Sequence, residues 1–172
     1  MSESDTNAAT SVGARALAIA TALAHASSGE KASARRMGTE GAPVFWRIAA
    51  RFSISPAEEP MWRAITKALA LLTPASATES IHESGRRFGA ILADGGDARA
   101  HIEKPAFSEP RLARLLAARG TARHDALERA IRMLARKHPQ IDVPSLAWAY
   151  LKQDGQDIAR DYYQRLDQSA HP

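Results

Sequence analysis

The spacing of apolar residues along the chain predicts helices. Four bulky apolar residues in the stretch 58–72 recur at i, i+3, i+7 and i+10: Trp62, Ile65, Leu69 and Leu72. This spacing keeps side chains on one face of an α-helix. Valine occurs at only three positions, and no stretch alternates apolar and polar residues as a half-buried strand does. The sequence therefore predicts an all-α protein.

Breaks in this pattern divide the chain into two helical halves. Residues 1–12 are small, polar and acidic, and we predict a disordered tail there. The N-terminal half, 13–94, has helices predicted at 13–26, 30–37, from Pro43 onward, at 58–72 and at 84–94. Gly95 and Gly96 end the last of these helices, since glycine is favoured just past a helix C-terminus. A loop is predicted over 95–107.

The C-terminal half, 108–168, shows clearer helix signals. Ser108 is predicted to cap a helix that Gly120 ends, and Thr121 is predicted to cap the next helix, which runs to about His138. Two further helices are predicted, one starting near Asp142 and one after Gly155. Apolar residues make up 45% of the 172 residues but aromatic residues only 6%, so we expect a core of thin helix-on-helix packing.

Positive charge is concentrated in one segment of the second half. Residues 111–137 contain eight basic residues and two acidic ones, a net charge of +6, whereas the whole chain carries +4. At 100° per residue, Leu127, Ala130, Ile131 and Leu134 form the predicted buried face of the helix 121–138. Three arginines fall opposite that face: Arg129, Arg132 and Arg136. A row of guanidinium groups along a helix can follow a phosphate backbone, although a solvated helix face can have the same pattern.

Other basic residues are candidates for the same backbone-binding surface. They are spread over both halves of the chain and comprise Arg35, Arg36, Arg63, Arg87, Arg119 and Arg123. They form a continuous track only if the fold brings them together. Taken singly, these residues are better explained by solubility, and Arg119 is also favoured by the dipole at a helix C-terminus.

The sequence contains no recognisable catalytic or metal-binding motif. There is no cysteine, no His-x-x-x-His pair, no glycine-rich phosphate loop and no Gly-x-Ser-x-Gly elbow. The dipeptide His124-Asp125 resembles part of a phosphohydrolase site, but the further ligands of such a site are missing. We therefore predict no enzyme activity, no metal and no cofactor.

Targeting signals are also missing from the sequence. The most apolar stretch, near 14–26, contains Arg15 and His25 and is too short to cross a bilayer. The acidic start of the chain does not resemble a secretory signal. We expect a cytoplasmic protein with no membrane contact.

A helix-turn-helix DNA reader is an alternative interpretation of residues 110–137. The segment has two predicted helices, a turn that contains glycine, and arginines on the second helix. Those arginines are spread along the whole helix, and the base-reading residues Asn and Gln are absent from it. The pattern therefore favours backbone contacts. A structural adaptor whose charge serves only solubility is a third hypothesis.

Three stretches of the chain form an ordered set of motifs: Gly29 to Arg36 followed by Pro43-Val44-Phe45-Trp46-Arg47, then Ser84 to Ala93, and then Arg111 to Leu116 running on into Thr121-Ala122 and Leu127-Glu128-Arg129. In this order the motifs resemble a known family, CasB, the small subunit of the type I-E CRISPR surveillance complex Cascade. The resemblance covers roughly residues 29–168. The loop around 97–105 and the acidic tail depart from the family pattern.

The resemblance implies a helical protein of two bundle-like halves that works inside a larger complex. Its partners would be other Cascade subunits, a second copy of itself, the guide RNA and the target DNA, whose displaced strand it would help to stabilise. Arg35, Arg36 and Arg129 match basic positions of the family, and Arg119 lies near another.

Overall fold

A computed structural model of the chain describes residues 3–171, with side chains from residue 11 onward. The described part of the chain folds into helices, with bounds α1 Glu3–His25, α2 Ser28–Arg35, α3 Pro43–Arg51, α4 Glu59–Leu72, α5 Phe88–Asp94, α6 Glu109–Ala117, α7 Gly120–Ala135, α8 Val143–Leu151 and α9 Gln156–Ala170. Its only pairing of extended backbone is an isolated bridge between His82 and Ile141. The predicted all-α fold is confirmed.

Helix α4 lies at the centre of the molecule. It packs against α1, α2, α3, α7 and α8. The predicted stripe is buried, with Trp62 2% exposed and Ile65, Leu69 and Leu72 fully covered. Because α1 also packs on α8, the segments 13–94 and 108–168 contribute to one continuous apolar core.

Helices α5 and α9 pack closely against each other, and a glycine makes their approach possible. A side-chain carbon at Gly89 would collide with the carbonyl group of Ile158 on α9. Glycine therefore allows the two backbones to approach closely, as it does wherever chains meet without room for a Cβ. This contact holds the C-terminal helix against the loop that follows α5.

Three helix bounds differ from the sequence prediction. Helix α1 begins at Glu3 and therefore includes most of the predicted disordered tail. Residues 3–12 contain neither proline nor glycine, which would break a helix. Residues 1 and 2 of the predicted tail lie outside the described residues. Helix α5 begins at Phe88, because Ser84 and Gly85 form a turn and Arg87 has extended backbone angles as the N-cap residue. Gly120 does not end α6: with a φ of 56° it opens α7, so Arg119 and not Thr121 is the N-cap.

Candidate nucleic-acid interface

Helix α7 presents a row of arginines opposite its buried face. Leu127, Ala130, Ile131 and Leu134 are buried, as predicted, and they anchor the helix in the core. Three arginines on the other side are exposed: Arg129, Arg132 and Arg136, which we call the arginine row. Arg136 is the C-cap residue and keeps helical backbone angles, so it continues the row by one further turn.

The charges of the row are only partly neutralised by the protein. Glu128 accepts from Arg132 at 2.7 Å and lies 3.2 Å from Lys67 on α4. Burial tends to raise the pKa of Glu128, but the hydrogen bonds from Arg132 and Lys67 outweigh it and hold that pKa below its usual value. Within the described residues, no carboxylate lies within 4 Å of Arg129 or Arg136. Two of the three cations are therefore free to bind an anion.

Two further arginines stand beside the row on α6. Arg111 and Arg114 are exposed, and together with Arg129 they line a groove between α6 and α7. The sequence placed both in the basic segment but did not single them out, because the register of two helices against each other cannot be derived from the pattern of either one. Their free charges extend the basic surface from α7 onto α6.

Arg119 lies between the two helices and is engaged locally. Its Nη1 donates to the carbonyl oxygens of Leu116 at 2.6 Å and Ala118 at 2.9 Å. Carbonyls in the last turn of a helix have no partner within the helix, so a cation there is favoured by both hydrogen bonding and the helix dipole. The side chain remains exposed, and its charge still adds to the surface of this region.

Arg123 is buried, contrary to the exposed position that we expected. Its side chain is fully covered, and its Nη2 donates to the carbonyl of Ala149 at 3.1 Å. At 100° per residue it lies 40° from Leu127, within the buried arc of α7, so the sequence already contained the signal. In this conformation its guanidinium cannot reach a phosphate.

The burial of Arg123 leaves part of its hydrogen-bonding capacity unused. Its Nε and Nη1 have no hydrogen-bond partner among the residues that the structure describes. Burial lowers the pKa of Arg123, and the charge of Arg119 acts in the same direction. A buried cation with unsatisfied donors costs free energy, whereas an apolar side chain of similar volume does not.

We therefore expect Arg123→Met to leave the free energy of unfolding unchanged or to raise it by about 1 kcal/mol. Urea denaturation followed by circular dichroism measures the change, with exposed Arg36→Met as the control. A loss of more than about 2 kcal/mol would show that the hydrogen bond to Ala149 outweighs the cost of burying the charge.

The neighbouring arginines Arg35 and Arg36 have different surroundings. Arg35 donates through Nε to the carbonyl of Ala70 at 3.0 Å and through Nη2 to that of Thr73 at 2.7 Å. These carbonyls lie at the C-terminal end of α4, where the helix itself offers no donors. Arg36 is exposed and has no acceptor among the described residues. Arg35 is therefore a structural residue, while Arg36 is free to meet a ligand.

The substitution Arg35→Ala is expected to lower the free energy of unfolding by about 1.5–3 kcal/mol, because two charge-assisted hydrogen bonds to α4 are lost. The matched exchange Arg36→Ala is expected to change it by less than about 0.5 kcal/mol. Thermal and urea denaturation of both variants check the difference. Equal effects at the two positions would contradict the structural role of Arg35.

Arg63 and Arg87 are also engaged with other parts of the protein. Arg63 lies 3.3 Å from Glu59 and over the ring of Phe45. Arg87 donates to Asp161 on α9 at 2.7 Å, a hydrogen bond that raises the pKa of Arg87. Arg35 ends α2 and Arg36 follows it, Arg63 lies on α4, and Arg87 lies directly before α5, so none of the four is on the helix that carries the arginine row. The row is the group of predicted site residues that shares one exposed helix face.

The start of α7 lacks the side chains of a base-reading helix. Thr121 and Ala122 are exposed there, whereas Arg123 turns into the core. Helix-turn-helix proteins contact base edges with the N-terminal residues of the second helix. The described part of α7 offers its arginines in the second half instead, which favours contacts to a nucleic-acid backbone.

Two other kinds of site find no support in the described residues. Among the side chains described, from residue 11 to residue 171, there is no cluster of three or more His, Asp or Glu able to hold a metal ion. His124 packs at 6.2 Å from the ring of Tyr150 and is half-buried, as a structural histidine is. Over the same residues, no helix is long and apolar enough to cross a membrane.

A comparison with protein families gives one match. The family described as CRISPR-associated protein Cse2 matches residues 30–165, the greater part of the chain. Neither a comparison with curated proteins nor one with solved structures gives a significant match. The matched range contains α3 to α8 and all nine arginines predicted from the sequence as site residues.

Proposed function

Since the chain belongs to the CRISPR-associated Cse2 family, which is CasB of the type I-E complex Cascade, we propose that it holds nucleic-acid backbone inside that complex. Membership of the family makes the protein a Cascade subunit. The proposal concerns what this subunit contacts. Its partners are the other Cascade subunits, a second copy of itself, the guide RNA and the target DNA, and it acts without catalysis.

The arginine row carries this proposal. Arg129 and Arg136 are seven residues apart, which corresponds to about 10 Å along a helix. A stacked strand rises about 3.4 Å per nucleotide, so the row spans about three phosphates. Arg129 and Arg136 are exposed and have no carboxylate within 4 Å among the described residues, so they suit phosphate oxygens, which a guanidinium group can bind with two parallel hydrogen bonds. Arg132, between them, shares Glu128 with Lys67.

Contacts of this kind suit a complex in which base pairing provides the specificity. In RNA-guided DNA recognition, the guide reads the target sequence, while protein contacts to the backbone shift a nearly balanced exchange of strands. A few arginine–phosphate contacts are then enough to stabilise the opened state. We infer that the row holds the displaced DNA strand or the guide–target duplex by its backbone.

Fluorescence anisotropy of the protein with single-stranded DNA, single-stranded RNA and duplex DNA tests the proposal. Each nucleic acid is used in several unrelated sequences and across a salt series. We expect weak binding to single strands that is equal for all sequences and falls steeply with salt. Tight binding to one duplex sequence would favour a helix-turn-helix regulator. No binding at low salt would favour a structural adaptor.

A further inference from the structure

The groove between α6 and α7 combines an apolar floor with a basic rim. It has a volume of about 390 Å³ and is lined by Phe107, Arg111, Arg114, Leu115, Ala126, Arg129 and Met133. Ala126 and Met133 lie on the side of α7 that faces the groove, and Arg132 and Arg136 lie on the adjoining side. Arg129 lies between these two sides, so it belongs to both the groove and the arginine row. A strand held by the row therefore passes along the edge of this groove.

Apolar side chains form the floor of the groove. Phe107 is 7% exposed and Leu115 is 1% exposed, so both lie at the bottom, while Ala126 and Met133 are half-buried and form the wall on α7. A ligand group that enters must therefore be flat or apolar over most of its surface, because a charged group would lose water here without gaining partners.

The rim of the groove is positively charged. Arg111, Arg114 and Arg129 are all exposed, and within the described residues none of them has a carboxylate within 4 Å. None of the described residues that line the groove is acidic. Three free guanidinium groups around an apolar floor match a ligand that joins an aromatic group to negative charge, which is the composition of a nucleotide.

We propose that this groove takes one unstacked base of a single strand whose phosphates lie on the arginine row. The inference rests on the proposed function and adds a second type of contact to it. Base faces pack well on apolar and guanidinium surfaces whatever the base, so the groove adds affinity without reading sequence. Within a duplex the same base must first be unpaired and unstacked, which costs free energy. The groove therefore favours single strands.

The combination of an apolar floor and a basic rim suits a nucleotide better than an acidic helix of a partner protein. A base can lie on the apolar floor while its sugar and phosphates stay on the rim beside the arginines. An acidic protein segment remains an outcome of the test below.

Abasic strands separate base contacts from backbone contacts. A single-stranded DNA oligonucleotide of mixed sequence is compared by anisotropy with a strand of the same length and charge in which every base has been removed. We expect the strand with bases to bind roughly 5- to 150-fold more tightly, which corresponds to the stacking of one base. Both strands should show the same salt slope, because both place their phosphates on the arginine row.

Filling the groove should abolish this difference. Ala126→Leu adds apolar volume to the wall without changing charge, and Ala113→Leu, on the exposed far side of α6, is the matched control. We expect Ala126→Leu to bind both strands as the protein binds the abasic strand, and Ala113→Leu to behave as the unchanged protein. Arg111→Gln on the rim gives a second variant that leaves the wall intact and should also reduce the preference for bases.

The outcomes distinguish this inference from the proposed function. Equal binding of both strands, with a steep salt dependence, would contradict the binding of a base in the groove but would agree with phosphate contacts to the arginine row. No binding of either strand would overturn both. If Ala126→Leu leaves nucleic-acid binding unchanged but prevents assembly with partner subunits, the groove takes a protein segment and the inference is wrong.

Discussion

The substitution Asp94→Ala is expected to lower the free energy of unfolding by about 3–5 kcal/mol, the largest loss that we expect from a single exchange. The side chain of Asp94 is fully buried and lies between two guanidinium groups. Arg86 donates to its two oxygens at 3.0 and 3.1 Å, and Arg165 donates at 2.8 Å. Without the carboxylate, two largely buried cations face each other with no counter-charge.

The same group of residues holds the loop after α5. Asp94 also accepts from the backbone N–H of Gly96 at 2.9 Å, and Nη2 of Arg165 donates to the carbonyls of Ala98 and Ala100. Removing the Asp94 carboxylate therefore weakens the contact between α5, α9 and residues 96–100 as well as the ion pairs themselves. Since small domains are stable by only about 5–15 kcal/mol, the variant is expected to be close to unfolding at 37 °C.

Urea denaturation of Asp94→Ala measures this loss. Asp97→Ala is the matched control, because Asp97 is an exposed carboxylate three residues away whose side chain, among the described residues, accepts only from the N–H of Arg99. We expect the control to lose less than about 0.5 kcal/mol. A loss below about 1 kcal/mol for Asp94→Ala would contradict the central role of this carboxylate.

The combined variant Arg129→Gln, Arg132→Gln and Arg136→Gln is expected to weaken binding to single strands by up to about 100-fold at 0.1 M salt. Each lost phosphate contact reduces the slope of log K against log salt by about 0.7, so three lost contacts reduce it by about 2. The loss should be the same for all sequences, because these contacts reach only the backbone. Folding should be preserved, since Glu128 keeps its ion pair with Lys67.

A control variant removes the same charge without touching the row. Arg51, Arg99 and Arg160 are exposed and lie on α3, in the loop after α5 and on α9, and all three are replaced by glutamine. If the row binds phosphates, this variant keeps most of the salt slope. Equal losses for both variants would mean that net charge alone attracts the nucleic acid and that the row is not a site.

The periodic pattern predicted the parts of the fold that depend on a single helix. The buried stripe of α4 and the two faces of α7 follow from the 3.6-residue period, because the position of a residue within its helix determines the helix face on which its side chain lies. The same rule applied to Arg123 places it beside Leu127 and predicts its burial. The error at Arg123 arose from treating arginine as a surface residue in spite of its position.

Other features depend on residues far apart in the chain, and no local pattern contains them. Arg35 finds its acceptors at Ala70 and Thr73, and Arg87 finds its partner at Asp161. The side chains of Arg35 and Arg87 therefore stabilise the fold, although no local sequence pattern distinguishes these two residues from the exposed Arg36. The groove likewise depends on how α6 packs against α7, and the periodicity of neither helix determines that packing.

The most direct test of the central claim uses the assembled complex. Cascade loaded with guide RNA is reconstituted with the unchanged subunit, with the triple variant of the arginine row, or with the scattered control, and the lifetime of the complex on a fully matched DNA target is measured across a salt series. We predict that all three assemble, that the row variant releases its target faster for every target sequence, and that the control does not. Equal lifetimes for the row variant and the unchanged subunit at every salt concentration would show that the row does not hold nucleic acid.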